Sequence, residues 1–358
     1  MNRIPDIRTA LAGAACGRPP TDGILLTSPI NRRWATGFAS SAGALLITPT
    51  ESVFITDSRY IEAAEAQIRD AAVIQISSGQ SYAALVAEIL TGNPIKRLGF
   101  EEDFMTQSAY AAYRKKLPAE LVPAQSVLSD LRASKTSAEY ALMRRAQEIT
   151  DQTFAQILPL ITPERTEREL AAEIVYRLLK NGAEHPAFDP IVVSGPRSSM
   201  PHGIPGEDKL TGFVTIDFGA VYKGYCADMT RTVSIGEPTD EMRRVYEVVS
   251  EAQRAGIAAA KAGVIGKDID CAARSVIKAA GYGDYFGHGF GHGLGLEVHE
   301  SPGAGPTETR PLPSGAVISA EPGIYLPGKF GVRIEDTLCL TESGCEILTQ
   351  TPKELIVL

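Results

Sequence analysis

Thr215-Ile216-Asp217-Phe218-Gly219-Ala220-Val221-Tyr222-Lys223-Gly224-Tyr225-Cys226-Ala227-Asp228-Met229-Thr230-Arg231-Thr232 is the stretch on which the fold of this chain turns. Its β-branched and aromatic residues run into a turn at Val221-Tyr222-Lys223-Gly224 and out again, the pattern of a β-hairpin. The midpoint of 217 and 228 is 222.5, inside that turn. Residues equidistant from a hairpin turn face each other with Cβ atoms about 5 Å apart, so Asp217 and Asp228 are expected as cross-strand neighbours.

The same design recurs downstream. A strand ending Ile318-Ser319-Ala320-Glu321 leads to a turn at Pro327-Gly328-Lys329 and returns through Val332-Arg333-Ile334-Glu335, and the midpoint of 321 and 335 is Gly328. One such acidic pair alone would read as a solvated sheet face. Two pairs set symmetrically about independent turns, flanked by apolar residues, are like charges that repel unless something positive lies between them. A divalent metal is the economical answer.

Between the hairpins, Gly287-His288-Gly289-Phe290-Gly291-His292-Gly293-Leu294-Gly295 carries imidazoles on a backbone stripped of alternate side chains, which permits close approach. Glycine at every second position does not match the dinucleotide-binding spacing, which excludes that reading. His292 with Asp217, Asp228, Glu321 and Glu335 makes four carboxylates and one imidazole, enough to balance two divalent cations. Oxygen-rich ligation suits manganese, and also cobalt or zinc.

The rest of the chain frames this constellation. At 358 residues two domains are expected, and a net charge of -8 with no dense Lys/Arg cluster argues against nucleic acid as a partner. No run approaches the roughly 18 to 20 apolar residues of a membrane span. Leu11-Ala-Gly-Ala-Ala-Cys16 faintly suggests a secretion or lipidation site, but Asp6 and Arg8 shorten the apolar run, and the segment is read as an ordinary helix start. Five widely spaced cysteines without a Cys-x-x-Cys pair fit reduced thiols and a cytoplasmic location. Cys226, two residues before Asp228, is read as a packing thiol and not a metal ligand.

Residues 1–130 are expected to form an α/β domain. Short β-rich runs (Ile24–Leu26, Ala44–Thr48, Val53–Ile55, Val73–Ile76, Arg97–Phe100) alternate there with helical stretches at Ser58–Arg69 and Tyr82–Leu90, before a turn-rich connection around Leu121-Pro123-Ala124. Residues 131–358 are expected as a second, α+β domain. It opens with helices at Ser137–Leu158 and Glu164–Lys180, the latter started by Thr162-Pro163, and adds further helices at about Glu241–Ala262 and Gly266–Ala279.

Taken together, these residues resemble the pita-bread metallopeptidases, a family of methionine aminopeptidases, proline-specific aminopeptidases and prolidases. The family's ligand order of Asp, Asp, His, Glu, Glu is matched by Asp217, Asp228, His292, Glu321 and Glu335. The proline-specific branch is suggested by Ser198-Ser-Met-Pro201-His202-Gly and His299-Glu300-Ser-Pro302, and by an N-terminal module similar to that of creatinases in Asn31-Arg32-Arg33-Trp34 and Phe54-Ile-Thr-Asp57-Ser-Arg59-Tyr60. Creatinases lack the complete ligand set, which is intact here.

The resemblance implies a Xaa-Pro aminopeptidase that works through a hydroxide bridging two metal ions, most simply manganese. Glu321 would be both ligand and general base. His202, His288 and His299 would line the substrate pocket, with His288 and His299 on the substrate carbonyl, and Arg333 would be a charge partner of the ligands. It also implies a homodimer acting on Xaa-Pro peptides away from membranes. Two alternatives stay open: a dipeptidase confined to Xaa-Pro, which needs a cation for the free carboxylate (Arg32, Arg33 and Arg59 being candidates), and a non-catalytic binding module.

Overall fold

The computed structural model describes residues 2–12 and 21–358 and divides into two compact units, Met1–Leu131 and Arg132–Leu358. Helix Ile4–Ala12 is already under way at Leu11, so that position lies toward the helix's end and not its start; Cys16 lies outside the described residues.

The first unit is an α/β layer. Its six strands are Gly23–Leu26, Ala44–Ile47, Ser52–Thr56, Ala72–Gln75, Arg97–Phe100 and Glu120–Pro123, ordered 4-3-2-1-5-6 across the sheet, with parallel pairs at both flanks and antiparallel pairs in the middle. Leu25, Leu46, Ile55, Val86 and Leu98 are buried between the sheet and helix Tyr82–Leu90. The expected turn around Leu121–Pro123 is instead the sheet's edge strand. Pro123 closes it, where the missing N–H costs nothing because no further strand asks for it. A short helix absent from the sequence reading, Pro29–Thr36, starts where Ser28 Oγ accepts from the Asn31 N–H and stops at Gly37, whose φ of 77° suits glycine.

The second unit is α+β. Helix Ser137–Ile157 begins with a reciprocal capping box of Thr136 and Glu139. Helix Glu167–Lys180 begins the same way, at Thr166 and Glu169 and not at Thr162-Pro163, because the box satisfies two amide donors that the proline turn leaves open. Helices Asp240–Ala259 and Gly266–Ala279 pack on the sheet side that carries Phe213, Phe290, Ile318 and Ile334. Gly256 allows this closeness, since a Cβ there would lie 2.3 Å from the Phe290 ring.

The two hairpins differ in how they meet expectation. Strands Val317–Ala320 and Asp336–Leu340 pair Ala320 with Asp336, while Gly323–Leu326 and Phe330–Arg333 pair Gly323 with Arg333. Both ladders are symmetric about Gly328, so Glu321 and Glu335 stand at the break between them in the expected register.

The first hairpin is offset from expectation. Strand Gly212–Phe218 pairs with Met229–Ile235 so that Asp217 faces Thr230, and the tip pairs Tyr222 with Tyr225. The turn is the two residues Lys223 and Gly224, both at positive φ (47° and 87°), which moves its centre from 222.5 to 223.5. Asp217 and Asp228 are therefore diagonal and not directly opposed. Asp228 falls in the gap opposite Gly219, where a Cβ would lie 1.7 Å from the Ala227 carbonyl oxygen.

The alternating glycines have the same kind of cause. A Cβ on Gly291 would meet Ser319 O at 1.9 Å, one on Gly293 would meet Glu300 O at 2.1 Å, and one on Gly295 would meet Glu300 Oε1 at 2.2 Å. One face of this segment lies directly against neighbouring backbone and the Glu300 carboxylate, and His292 projects from the other.

Candidate metal centre

A cavity of about 690 Å³ in the second unit is lined by Asp217, Asp228, His292, Glu321 and Glu335, and also by His202, His288, His299, Tyr325 and Arg333. Each acidic residue reaches it from the end of a strand. The backbone there is fixed by groups remote in sequence. Gln253 Nε2 donates to Ala320 O at 3.1 Å and Ile334 O at 3.3 Å, tying together the two strand ends that carry Glu321 and Glu335. Arg231, buried beside them, bonds Glu335 O and pairs with Asp336 at 2.8 Å, and Thr337 Oγ1 donates to Asp228 O at 2.9 Å.

Ligand atoms of Asp228, His292 and Glu335 lie within 4.8 Å of one another. His292 Nε2 is 3.5 Å from Asp228 Oδ2 and 3.4 Å from Glu321 Oε1. Its other nitrogen, Nδ1, is 3.1 Å from Gly293 O, a carbonyl that can only accept, so Nδ1 carries the proton. Its Nε2 faces two carboxylate oxygens, an arrangement that a cation among them would hold together. Asp217 Oδ1, Asp228 Oδ1 and Glu335 Oε1 are moreover buried without any hydrogen-bond partner, although the remaining oxygens of the three residues lie against protein groups. Buried carboxylate oxygens without a protein partner, beside the close group of Asp228, His292 and Glu335, fit a divalent cation.

The charges around the cavity respond to this crowding. Burial, then the charges of Asp217 and Glu321, holds Asp228 well above the usual carboxylate range. Burial and the charges of Asp228, Glu321 and Asp217 do the same to Glu335. Arg333 is the counterweight: burial alone would lower its pKa, but Tyr325, Asp217 and Glu321 outweigh that and raise it. Its guanidinium donates from Nη2 to Asp217 Oδ2 at 2.5 Å, from Nε to Thr230 Oγ1 at 3.0 Å, and from Nη1 to Tyr325 OH at 2.9 Å and Pro201 O at 3.2 Å. Thr230 Oγ1 in turn donates to Glu335 Oε2 at 2.7 Å. Arg333 thereby touches two of the acidic residues, one directly and one through a hydroxyl.

The histidines divide. His288 has both nitrogens engaged, Nδ1 with Gly289 O at 2.9 Å and Nε2 with Tyr325 OH at 2.8 Å, and burial lowers its pKa. Since Tyr325 OH accepts from Arg333, it donates to His288 Nε2. Nε2 of His288, the nitrogen that would face a substrate carbonyl, is here taken up by Tyr325. His299 packs edge-on against His292 with ring centroids 4.2 Å apart, its pKa lowered by burial and by His292. The imidazoles of His299 and His202 line the cavity without a hydrogen bond among the described residues.

Cys226 is buried, with its thiol pushed up to about 12 by burial and its Sγ 3.8 Å from Leu296 O, as a packing residue would be. Tyr325, Ser319, Thr230 and Gln253 escaped the sequence reading. Ser319 Oγ donates to Glu321 Oε1 at 3.1 Å and accepts from the His292 N–H at 2.9 Å. Tyr325 lies on strand Gly323–Leu326, across the break at Glu321, so strand alternation gave no signal for it. Gln253, on a distant helix, had none. Of the N-terminal arginines, Arg32 is buried and spent on Thr27 O, Ser40 O and Gly43 O, while Arg59 is exposed and paired with Asp57.

The profile of the Creatinase/Prolidase N-terminal domain matches residues 4–134 and that of Metallopeptidase family M24 matches residues 141–342. An uncharacterized peptidase of Bacillus subtilis, YqhT, is 45% identical over 96% of this chain and 97% of its own. A solved Xaa-Pro dipeptidase from Bacillus anthracis superposes with a TM-score of 0.94 at 42% identity, covering 99% of each chain. An X-Pro aminopeptidase from Thermotoga maritima superposes with a TM-score of 0.90 at 38% identity, covering 94% of this chain and 98% of its own. The two-unit architecture has its counterpart in these proteins over nearly their whole length, and the chain belongs to metallopeptidase family M24, the pita-bread enzymes, with a creatinase/prolidase-type N-terminal domain.

Proposed function

We propose that this metallopeptidase removes the N-terminal residue from peptides whose second residue is proline, with Asp217, Asp228, His292, Glu321 and Glu335 holding two divalent ions, manganese being the simplest choice. When bound, such ions neutralise the crowded carboxylates and acidify a water. Glu321, hydrogen-bonded by Ser319 and close to His292, is placed to accept a proton from water at the site. His299 and His202, with no hydrogen bond of their own among the described residues, are the imidazoles left to face a substrate, and His299, packed on His292, is the one assigned to its carbonyl. Among the described residues lining the cavity, these carboxylates are the anionic groups that a substrate's α-amine meets. That anchors the chain's first residue and makes the first peptide bond the one cut.

One observation supports an aminopeptidase over a dipeptidase. A dipeptidase must hold the carboxylate that follows proline, and a guanidinium does this best. Among the described residues lining the cavity the sole Arg or Lys is Arg333, which is fully committed to Asp217, Thr230, Tyr325 and Pro201. The dipeptidase reading has the printed name of the Bacillus anthracis neighbour on its side. Hydrolysis of Ala-Pro and Ala-Pro-Ala by manganese-loaded protein, with Asp228→Ala as control, separates the two. Cleavage of the tripeptide supports the aminopeptidase, cleavage of the dipeptide alone supports the other, and no metal-dependent cleavage removes both.

A further inference from the structure

The segment Met200–Gly206 brings Pro201 and His202 to the cavity, yet burial does little to hold it: Met200 is 50% and Ile204 82% exposed. A loop with so little apolar anchorage keeps one shape only if polar tethers fix it. Apart from the bond from Arg333 to Pro201 O, those tethers converge on Glu167, the first residue of helix Glu167–Lys180 and itself 0% exposed. Its carboxylate accepts from Ser194 N at 2.8 Å, just before the segment, and from Gly206 N at 2.9 Å, at its end. It also accepts from Arg197 Nε at 3.1 and 3.2 Å, and Arg197 Nη2 donates to Ile204 O at 2.6 Å, in the segment's middle. Arg168 N closes the same end on Gly206 O at 3.0 Å.

We infer that Glu167 is a positioning residue for the proline-peptide reaction, holding the His202 loop against the cavity through Ser194, Arg197 and Gly206. The inference rests on reading His202 as facing substrate. Glu167 touches neither the acidic centre nor the space a substrate would fill, so it acts through the loop. Both carboxylate oxygens are needed, because each takes a backbone N–H plus a share of Arg197. A glutamine offers one acceptor and turns an NH₂ group toward the other donors.

The test uses the full, manganese-loaded chain in five forms: wild type, E167Q, R197A, H202A and E167Q/H202A. Each is assayed on Ala-Pro-Ala and Ala-Pro for kcat and KM, and followed by hydrogen exchange. In E167Q the amides of Met200, His202, Gly203, Ile204 and Gly206 are expected to exchange at least tenfold faster, while strands Gly212–Phe218 and Phe330–Arg333 keep their protection. kcat/KM is expected to fall about tenfold with manganese affinity unchanged. The loss should vanish in the H202A background, since a disordered loop has nothing left to misplace. R197A, altering a partly exposed residue, should reproduce the effect more weakly and stands in if E167Q fails to fold. Unchanged exchange in the loop, or losses that multiply in the double variant, would overturn the inference. If wild type cuts neither peptide, the proposed function fails instead, and loop exchange alone decides for or against Glu167.

Discussion

Arg333 Nη2 lies 2.5 Å from Asp217 Oδ2, with the two side chains only 2% and 10% exposed. The same guanidinium spends its other donors on Thr230, Tyr325 and Pro201, so its planar fork and not merely its charge holds Asp217 in place. Arg333→Lys keeps the charge and loses the fork. Its manganese affinity and activity are expected to fall about 10–100-fold, as for partners that orient ligands elsewhere. Arg333→Met also strands a buried anion and should destabilise the fold by about 3–5 kcal/mol. Metal titration calorimetry and urea unfolding read the two effects separately.

Without metal, Asp228 and Glu335 crowd their charges in a buried place, and each is held well above the usual carboxylate range by burial and by its anionic neighbours. Chelated wild type is therefore strained at neutral pH. Asp228→Asn removes one charge, so the chelated variant should melt higher than chelated wild type. Manganese at a hundred times its Kd should stabilise wild type by about 2.7 kcal/mol and the variant hardly at all. Scanning calorimetry of both proteins with and without metal checks this; a chelated variant that melts lower would mean repulsion is not what dominates the empty cluster.

Glu300, next to His299, sits in a second charged cluster, 2.5 Å from Arg132 Nη2 and 2.9 Å from Lys135 Nζ, with side-chain exposures of 6%, 6% and 3%. Burial alone would raise its pKa, but Lys135 and Arg132 outweigh it and hold the carboxyl below the usual 4.5. Between the depressed folded value and 4.5 the unfolded chain binds more protons. The contribution to stability is thus complete above pH 4.5 and is lost as pH falls through the folded value. Urea unfolding from pH 7 to 3 should show this fall in wild type and a flatter curve in Glu300→Gln. At pH 7 the variant should be weaker by about 3–5 kcal/mol, because buried Lys135 loses its carboxylate while Arg132 retains Glu297.

What could be read from sequence was whatever local geometry determines. Glu321 and Glu335 were placed in register because Gly328, at φ 75°, centres a symmetric turn and both ladders continue from it. Asp217 and Asp228 were placed one step off because Lys223 adopts a positive φ that a lysine seldom takes, shifting the two-residue turn. Gly219 was the available clue, a glycine inside a strand pattern that marks close backbone approach. Edge strand Glu120–Pro123 was masked by its proline. The partners that brace the centre, such as Gln253 under Ala320 and Arg132 on Glu300, are 67 and 168 residues away, and no spacing rule joins residues that far apart.

The glycine alternation lends itself to a paired test. Gly291 and Gly287 stand two steps apart in the same pattern, yet a Cβ on Gly291 would lie 1.9 Å from Ser319 O, while a Cβ on Gly287 would meet nothing within 4 Å. The clash at 291 is with backbone, which cannot rotate away. Relief requires the His292 strand to move off Ser319, whose hydroxyl also anchors the His292 N–H and Glu321. Gly291→Ala should cost at least the ~1–3 kcal/mol of an overpacked core and weaken manganese binding with it, because His292 and Glu321 separate together. Gly287→Ala, with neither clash nor positive φ to resist it, should leave the melting temperature within a degree or two of wild type. Equal losses from the two substitutions would mean that glycine is needed here for chain flexibility and not for the contact with Ser319.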